Sequence, residues 1–478
     1  MRLKGAGKEV MGEKQKAIYD ARTLGRPKMA ILGLQHMFAM FGATILVPIL
    51  VNNYFHGQGI SIQVTLFMAG MGTLLFHFCS KNKVPAFLGS SFAFLGGFAT
   101  IAELNTGIFS GMDYGEKVPY ACGGIVIAGL MYLILAGIIK AVGVDRVMKY
   151  LPPVVTGPII ICIGLSLAPS AVKNASTCWP LALIALSVVI IFNIWGKGMW
   201  KIIPILMGVV ISYIAAVIMN SCGVTNADGS AILDFANVKT ASIVGVPPFQ
   251  LAKFNLTAIL VMAPISIATM MEHIGDISAI SATTGRNFIK DPGLARTLTG
   301  DGLATALAGL FGGPANTTYG ENTGVLELSH VYDPRVIRLA AVYAVFLSFF
   351  PKIADLIGSV PSAIIGGISF ILYGMISAIG VRNVVENRVD FTKSRNLIIA
   401  AVILVSGLGF SDGITFTIAG TSVTLTSLAI AAILGIVLNA ILPGNDYEFG
   451  KNPDGDISRG VSFNKIIEKE SDDQPDKQ

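Results

Sequence analysis

The sequence predicts an all-α membrane protein of about fourteen transmembrane spans, in two inverted seven-span repeats with short extended segments in spans three and ten. Three observations predict it: the composition, the distribution of basic residues among the loops, and two pairs of similar motifs. Hydrophobic residues make up 53% of the 478 residues and charged residues 13%, whereas soluble domains carry roughly 25% charged residues. The composition therefore indicates a chain that lies in a lipid bilayer.

Apolar runs long enough to span a bilayer recur along the chain. Crossing roughly 30 Å of hydrocarbon takes about 20 predominantly apolar residues, and the first such run begins near residue 30. The others begin near residues 64, 84, 120, 152, 180, 199, 255, 295, 315, 335, 356, 394 and 424. The first 28 residues are polar and basic, unlike a cleavable signal peptide. We therefore expect the first span to act as the insertion signal.

Lys and Arg residues divide unevenly between the loops on the two sides of the predicted bundle. Sixteen lie on the side of the two termini and five on the other side. The first group is Lys81, Lys83, Lys140, Arg146, Lys149, Lys197, Lys201, Arg286, Lys290, Arg296, Arg335, Arg338, Arg382, Arg388, Lys393 and Arg395, and the second is Lys117, Lys173, Lys239, Lys253 and Lys352. Because cytoplasmic loops carry the excess of Lys and Arg, both termini are predicted to be cytoplasmic. The net charge of +5 follows from this bias and requires no nucleic-acid partner.

Two pairs of short motifs occur in the same order in the two halves of the chain. LPPVVTGPI from Leu151 is similar to VPSAIIGGI from Val360, and GSSFAFLGG from Gly89 is similar to NTTYGENTG from Asn316. A half of seven spans ends on the side of the membrane opposite to its start, so the second half must be inverted relative to the first. Inverted repeats are a common architecture of secondary transporters.

The segment PANTTYGENTG, residues 314–324, is very polar for a membrane span. Pro314 and the nearby glycines disfavour a continuous helix, as do Gly89, Gly96 and Gly97 around GSSFAF. Non-helical backbone at membrane depth is tolerated only when it is buried in protein or lines a wet cavity. We therefore expect two broken spans that meet near the midplane, each with an extended piece and a half-helix whose free N–H groups face a shared cavity. The alternative is that these glycines only allow close helix packing.

Three carboxylates are predicted to form the centre of a functional site, because ionisable groups inside a membrane are costly. Glu272 and Asp276 in ATMMEHIGDISAI are spaced i, i+4 and share one helix face, and Glu321 is the third. Like charges at that spacing repel, which favours a proton on one carboxylate or the binding of N–H donors. The alternative is a carboxylate pair at a water-exposed helix end.

The other ionisable residues in or near the spans are predicted to have structural roles. His273 points away from Glu272 and is expected to pack or form hydrogen bonds, and His36 with Gln35 is expected to join helices. Glu327 is expected to reach the cytoplasmic end. The residues predicted at span ends are Glu103, Asp301, His330 and Asp355.

Several enzyme and metal-site motifs are absent from the sequence. It holds no HExxH pair, P-loop or GxSxG, so no metal site, ATP site or nucleophile is predicted. The five cysteines have no CxxC spacing, and Cys178 and Cys222 in outside loops could pair, although free thiols are the preferred interpretation. The chain is therefore not predicted to be an enzyme, no cofactor is predicted, and any coupling must come from an ion gradient.

Five stretches together resemble the nucleobase-ascorbate transporter family, also called nucleobase:cation symporter family two, and especially its bacterial uracil-transporting members. The stretches are GLQHMFAMFGATILVP, FLGSSFAF, EHIGD, KDPGLARTLTGDGLATALAGLFGG and NTTYGENTGV with VYDPRVI. The resemblance covers almost all spans. It implies proton-coupled uracil import across the bacterial cytoplasmic (inner) membrane by an elevator-like motion, with the proton gradient as energy source, and a homodimer.

The resemblance also implies two domains, a core of spans one to four and eight to eleven, and a gate of spans five to seven and twelve to fourteen. On this sequence the units are an N-terminal cytoplasmic segment (1–29), the core (30–150 and 255–355), the gate (151–220 and 356–442), an external loop (221–254) and a cytoplasmic tail (443–478).

Individual roles follow from the same resemblance. Glu272 and Glu321 would accept hydrogen bonds from ring N–H groups of uracil, and backbone amides at Phe92 and Gly320 would meet the ring oxygens. Phe92 and Tyr319 would contact the ring itself. Charge-assisted hydrogen bonds of this kind are the stronger ones. The residues implied for proton coupling are Glu272, Asp276 and Glu321.

At position 276 this sequence has aspartate, whereas some uracil members of the family have histidine there. Purine-transporting relatives often have aspartate at this position. Glu321 favours uracil, because many purine members carry glutamine. Xanthine or uric acid is therefore the alternative substrate. An uncoupled anion channel and an intramembrane enzyme are the alternatives from other classes. The three carboxylates argue against anions, and an enzyme would require a nucleophile or metal ligands that the sequence does not offer.

Overall fold

The computed structural model describes residues 17–411, 413–418, 421–444 and 447. Residues 1–16 of the predicted N-terminal segment and most of the predicted cytoplasmic tail lie outside the described residues. The described chain is mainly helical and contains two small antiparallel strand pairs.

The first half of the chain contains one short strand among its helices. In order, its elements are a 3₁₀ turn (Ala21–Leu24), α1 (Arg26–Tyr54), α2 (Ile62–Cys79), β1 (Leu88–Ser90), α3 (Leu95–Glu103), a 3₁₀ turn (Gly107–Phe109), α4 (Tyr114–Val142), α5 (Val144–Tyr150), α6 (Pro153–Ser166), α7 (Ala168–Ala175), α8 (Trp179–Trp195), α9 (Met199–Ile202) and α10 (Pro204–Ser221). Helices α6, α7, α8 and α10 each have proline in the first turn, where its missing N–H has no helical partner to lose.

The second half also contains a short strand followed by a half-helix. Its elements are α11 (Ala236–Thr240), α12 (Leu256–Met262), α13 (Ile265–Thr284), a π-type turn (Ile289–Gly293), α14 (Leu294–Leu310), β2 (Asn316–Thr318), α15 (Gly320–Ser329), α16 (Pro334–Leu347), α17 (Pro351–Gly358), α18 (Ser362–Glu386), α19 (Ser394–Gly409), β3 (Ile414–Ile418), β4 (Thr421–Leu425) and α20 (Ser427–Ile441). Gly285 ends α13 in the left-handed conformation that favours glycine.

The described helices account for a multi-pass membrane protein. Among the described residues, seven helical segments are long and apolar enough to cross a membrane, or eight if the bent pair α16–α17 is one span. Three shorter apolar helices, α8, α19 and α20, are further candidates. Together with α14 and the two units β1–α3 and β2–α15, these segments match the fourteen predicted spans.

The strands β1 and β2 pair in antiparallel fashion, although 225 residues of chain separate them. The register is Leu88 with Thr318, Gly89 with Thr317 and Ser90 with Asn316. Threonine hydroxyls from neighbouring helices complete the hydrogen bonding: Thr73 accepts from the Leu88 N–H at 2.9 Å and donates to its carbonyl at 3.1 Å, and Thr305 donates to the Asn316 carbonyl at 2.5 Å. Extended backbone is tolerated at membrane depth here because other protein groups form hydrogen bonds with its N–H and C=O groups. The predicted broken spans are thereby confirmed.

Glycines allow the spans around this strand pair to approach closely. A Cβ on Gly89 would lie 2.4 Å from Cζ of Tyr319, so the tyrosine ring packs directly on β1. Between α4 and α14, a Cβ on Gly129 would lie 2.5 Å from the Gly302 carbonyl oxygen, and one on Gly302 would lie 2.6 Å from that of Gly129. Small residues at helix contacts are typical of membrane proteins.

Basic residues from several predicted cytoplasmic loops make contacts at helix ends on one side of the bundle, which we call the basic end. The Nζ of Lys83 is 2.6 Å from a carboxylate oxygen of Asp291, and Arg338 donates to Oδ1 of Asn82 at 2.6 Å. These contacts join the end of α2 to the starts of α14 and α16. They agree with the predicted alternation of the spans, while the side of the membrane on which the basic end lies stays a prediction.

One residue predicted at a span end, Asp301, lies in the middle of a helix. The prediction that Asp301 lies at a span end is wrong, because Asp301 is fully buried within α14. It lies between Gly300, which packs against α2, and Gly302, which packs against α4. Cys178 and Cys222 are both free thiols.

Lys117, assigned from the sequence to an external loop, lies in the first turns of α4 and is only 6% exposed. Its Nζ donates a hydrogen bond of 2.8 Å to the carbonyl of Ala102, near the C-terminus of α3. A cation at a helix C-terminus satisfies carbonyls that lack a helical partner and complements the helix dipole. Lys117 therefore anchors the C-terminal end of α3, the half-helix that follows β1.

Candidate binding site

A small cavity lies where the paired strands β1 and β2 meet α6, α13 and α18. Its lining includes Phe92 after β1, Glu272 and Asp276 on α13, and Tyr319 and Gly320 after β2. These residues come from segments that are distant in sequence. The structure thus brings together five of the residues that the sequence analysis proposed for a site.

Glu272 and Asp276 both face this cavity from successive turns of α13. Asp276 is 4% exposed, and Oγ1 of Thr318 donates a hydrogen bond of 2.6 Å to its Oδ2. This bond fastens α13 to the end of β2. His273 points to the opposite side, is fully buried, and has its Nδ1 2.9 Å from Oδ2 of Asp301. That is the kind of structural role expected for His273.

The N-terminus of α15 points at the same cavity. Gly320 is its first residue, and Tyr319 precedes it with extended backbone (φ −107°, ψ 117°). The first turn of a helix carries N–H groups without helical acceptors and a positive dipole end, so an oxygen atom of a ligand would be favoured here. A Cβ on Gly320 would lie 2.8 Å from Cδ1 of Ile379, so a side chain at this position would require the tip of the Ile379 side chain of α18 to shift. Glu321 follows in the same turn, and its side chain lies outside the described residues.

The two aromatic residues of the site are held by different contacts. The Tyr319 hydroxyl donates to the Ser90 carbonyl at 2.8 Å and lies 3.4 Å from Oγ1 of Thr44. It therefore holds β1 in place, and contact between this ring and a ligand stays a prediction. Phe92 is 6% exposed and packs edge to face against Tyr373 of α18, with ring centroids 5.9 Å apart.

Part of the cavity lining was not identified from the sequence. Thr318 and three isoleucines, Ile160 of α6 with Ile376 and Ile379 of α18, also line it. Thr318 lies within the quoted NTTYGEN motif, whereas the isoleucines resemble any lipid-facing residue in the sequence. The cavity measures about 20 Å³, room for roughly one water molecule. A larger ligand requires α6 and α18 to move away from α13 and the strands.

A second cavity, of about 370 Å³, leads from the site toward the basic end. It shares Asp276, Gly320 and Ile379 with the small cavity, and its outer residues include Lys201 and Arg382. A third cavity, of about 940 Å³, lies at the opposite end and shares no lining residue with the small cavity among the described residues. In this structure the second cavity therefore adjoins the site on the side of the basic end.

A cavity among membrane spans that is lined by two carboxylates and by the first residue of a half-helix is the arrangement of a membrane permease. The chain belongs to the nucleobase-ascorbate transporter family, since the sequence model described as "Permease family" matches residues 27–416. This agrees with the prediction of a transporter rather than an enzyme.

Named relatives are similar over most of their length. The uracil permease of Bacillus caldolyticus is 40% identical over 442 residues, which cover 89% of this chain and 94% of the relative. A probable uracil permease of Haemophilus influenzae is 37% identical over 432 residues, covering 88% and 96%. The transmembrane domain of a cyanobacterial bicarbonate transporter, BicA, has a TM-score of 0.59 at 15% identity, covering 87% of this chain and 99% of that domain. This last likeness concerns the fold alone.

Proposed function

We propose that this protein imports uracil across the bacterial cytoplasmic membrane together with protons. The observation that carries the proposal is the single cavity at which the α13 carboxylates and the N-terminus of α15 converge. The relatives named uracil permease support it. The excess of Lys and Arg at the basic end supports cytoplasmic termini.

The chemistry of the cavity suits uracil, a planar ring with two N–H donors and two carbonyl acceptors. In the proposed complex Glu272 and Glu321 accept from the ring N–H groups. The backbone amides at Phe92 and Gly320 donate to the ring oxygens, and Phe92 and Tyr319 cover the ring. Carboxylate acceptors make charge-assisted hydrogen bonds, which are stronger than neutral ones.

Proton coupling is proposed for Glu272, Asp276 and Glu321. Carboxylates inside a membrane are costly when charged and commonly form proton relays. A proton taken up with the base and released on the other side would link transport to the proton gradient, with no cofactor. The chain is also proposed to form a homodimer, as the family resemblance implies.

We propose that spans one to four and eight to eleven form a core domain and that spans five to seven and twelve to fourteen form a gate domain. The core would carry Phe92, Glu272 and Gly320, and the gate would carry Ile160 and Ile376 on the surface that faces the core. Because the cavity between them holds roughly one water molecule, entry of a base requires the two surfaces to separate. An elevator-like movement of the core past the gate would provide this and move the site from one side of the membrane to the other.

The proposal is tested by uptake of labelled uracil into proteoliposomes, with and without an inward proton gradient and with excess unlabelled xanthine. Saturable uptake that depends on the gradient and resists xanthine is expected. Strong competition by xanthine would indicate that Asp276 adapts the site to purines. Uptake that neither saturates nor responds to the gradient would contradict a symporter and favour a channel.

Thr318 offers a matched pair of substitutions at the edge of the site. Thr318→Val removes the hydroxyl that donates to Asp276 but preserves the side-chain shape. Hydrogen bonds to charged groups stabilise by about 1.5–3 kcal/mol, so uracil uptake is expected to weaken by roughly tenfold or more, with an altered dependence on pH. Thr318→Ser, which keeps the hydroxyl, should stay near wild type. Equal uptake and equal pH profiles in both variants would show that this bond does not matter for transport.

A further inference from the structure

Residues 17–25, which precede the first span, pack along the basic end of the bundle, and we call them the N-terminal clasp. From the sequence alone, the charged and polar residues of this segment indicate only that it is exposed to solvent. In the structure they contact the ends of two helices that carry the site, α13 and α15, and the start of α16. Ala21 is fully buried there in an apolar cluster with Val331 and Val336.

The clasp is joined to the end of α15 by backbone hydrogen bonds. The N–H of Ile18 donates to the carbonyl of His330 at 2.8 Å, and the N–H of Tyr332 donates to the carbonyl of Ile18 at 2.8 Å. Ile18 and Val331 therefore form a parallel bridge. His330, at the C-cap of α15, has left-handed backbone (φ 52°). The clasp thus binds the chain directly where α15 ends.

Tyr19 joins the same segment to the end of α13. Its hydroxyl donates a hydrogen bond of 2.7 Å to the carbonyl of Thr284, the last residue of that helix. The guanidinium of Arg286 lies 4.1 Å from the centre of the Tyr19 ring, a favourable cation–π distance. A C-terminal helix carbonyl that would otherwise need water is satisfied by the clasp.

Polar contacts fix the clasp to the start of α16 as well. The N–H of Ala21 donates to Oδ2 of Asp333 at 2.7 Å, and Arg335 lies 3.0 Å from Oδ1 of Asp20. Asp333 also caps α16 by accepting from the N–H of Arg335 at 2.9 Å. One short segment thereby contacts three elements that lie far from it in the sequence, α13, α15 and α16.

Both helices lead from the clasp straight to the cavity. Thr284 is eight residues beyond Asp276 on α13, about 12 Å along the axis, and Ser329 is nine residues beyond Gly320 on α15, about 13.5 Å along the axis. A helix that shifts as a unit carries the groups at both of its ends, so a shift at the clasp would displace the groups at the cavity. At the cavity, α13 also contacts α15 directly, and Oγ1 of Thr318 in β2 donates a hydrogen bond to Oδ2 of Asp276.

We propose that the N-terminal clasp sets the spacing of α13 and α15 and thereby the geometry of the base site, with Ile18 and Tyr19 as positioning residues. The inference rests on the proposed function, because it assumes that the cavity binds the transported base. A segment that precedes the first span would thereby contribute to the affinity for the substrate.

Ile18→Pro tests the clasp with Ile18→Ala as its matched control. Proline lacks the N–H that donates to His330, whereas alanine keeps both backbone bonds. Loss of one hydrogen bond should raise the KM for uracil by about three- to tenfold in Ile18→Pro, with kcat less affected, and leave Ile18→Ala near wild type. Tyr19→Ala is the second variant, and Tyr19→Phe, which keeps the ring on Arg286, should recover part of the loss. Arg22→Ala, which removes an exposed partner of Asp20 only, is the neutral control.

Hydrogen exchange measured without ligand gives a readout that does not depend on the substrate. Faster exchange of amides in residues 280–286 and 326–333 is expected in Ile18→Pro and Tyr19→Ala, and not in the controls. Unchanged KM in folded Ile18→Pro and Tyr19→Ala protein, with or without lower thermal stability, would overturn the proposal. Failure of wild-type protein to take up uracil would contradict the proposed function instead. In that case hydrogen exchange still tests the clasp. Unchanged amide exchange at the ends of α13 and α15 in Ile18→Pro and Tyr19→Ala would refute it, and faster exchange would support it.

Discussion

Replacing Glu272 by glutamine is expected to abolish uracil uptake while the protein still folds and inserts. Glu272 lines the cavity from α13 beside Asp276. Glutamine keeps the shape but turns one acceptor oxygen into a donor, which would face a ring N–H, and it cannot carry a proton. Since a hydrogen bond to a charged group is worth about 1.5–3 kcal/mol, uracil affinity should fall roughly 10- to 100-fold, and coupling should be lost in addition.

The experiment measures uracil binding and gradient-driven uptake by purified Glu272→Gln protein. Glu103→Gln, at the exposed end of α3, is the matched control because it makes the same chemical change far from the cavity. Size-exclusion profiles and thermal unfolding establish that both variants fold. Near-normal uptake by Glu272→Gln would remove Glu272 from the site and with it the proposed recognition of the base.

The broken spans could be predicted from the sequence because their physical requirements are local. Gly89 and the PANTTYGENTG segment cannot easily continue a helix in hydrocarbon, and the order of the similar motifs placed them in opposite orientations. The pairing of Gly89 with Thr317 in antiparallel strands is the consequence. The helical spacing of Glu272 and Asp276 likewise fixes their common face before any tertiary contact is known.

The buried charges could not be placed in the same way, because their environment depends on distant segments. Asp301 resembles a span-end residue in ARTLTGDGLATA, since polar residues and glycines surround it. Its burial comes from the packing of α14 against α2 and α4, which the local sequence does not reveal. Lys117 resembles a loop residue for the same reason, and its acceptor, the carbonyl of Ala102, belongs to a half-helix whose end could not be located beforehand.

The N-terminal clasp could not be predicted from the sequence for a similar reason. Its aspartate and arginine residues are those of a solvated segment, and the partner groups lie more than 260 positions away in the sequence. One local sign was present: VYDPR combines a capping aspartate with a proline that begins a helix. That sign locates the start of α16 but does not indicate that Asp333 also binds the N–H of Ala21.

The second large effect is expected in stability, from the buried pair formed by His273 and Asp301. Both side chains are fully buried, and Nδ1 of His273 lies 2.9 Å from Oδ2 of Asp301, close but off the ideal hydrogen-bond direction. Phe76 packs edge to face on the histidine ring, 6.2 Å between centroids. His273→Leu leaves the carboxyl group of Asp301 in this apolar surrounding without its nearest polar neighbour. Leaving a buried polar group without a partner costs about 1–3 kcal/mol.

A double-mutant cycle separates the loss of the polar contact between His273 and Asp301 from the loss of packing. His273→Leu alone should lower the thermal unfolding temperature strongly, whereas the same substitution in an Asp301→Asn background should cost much less, because a neutral amide is easier to bury than an unpaired carboxylate. A coupling free energy of about 2 kcal/mol or more is expected. If the two substitutions add independently, the contact between His273 and Asp301 contributes only packing. Coupling of the expected size would instead mean that a buried polar pair fastens α13, the helix carrying Glu272 and Asp276, to α14 behind the site. Asp301→Asn alone should then also weaken uracil binding, although Asp301 does not line the cavity.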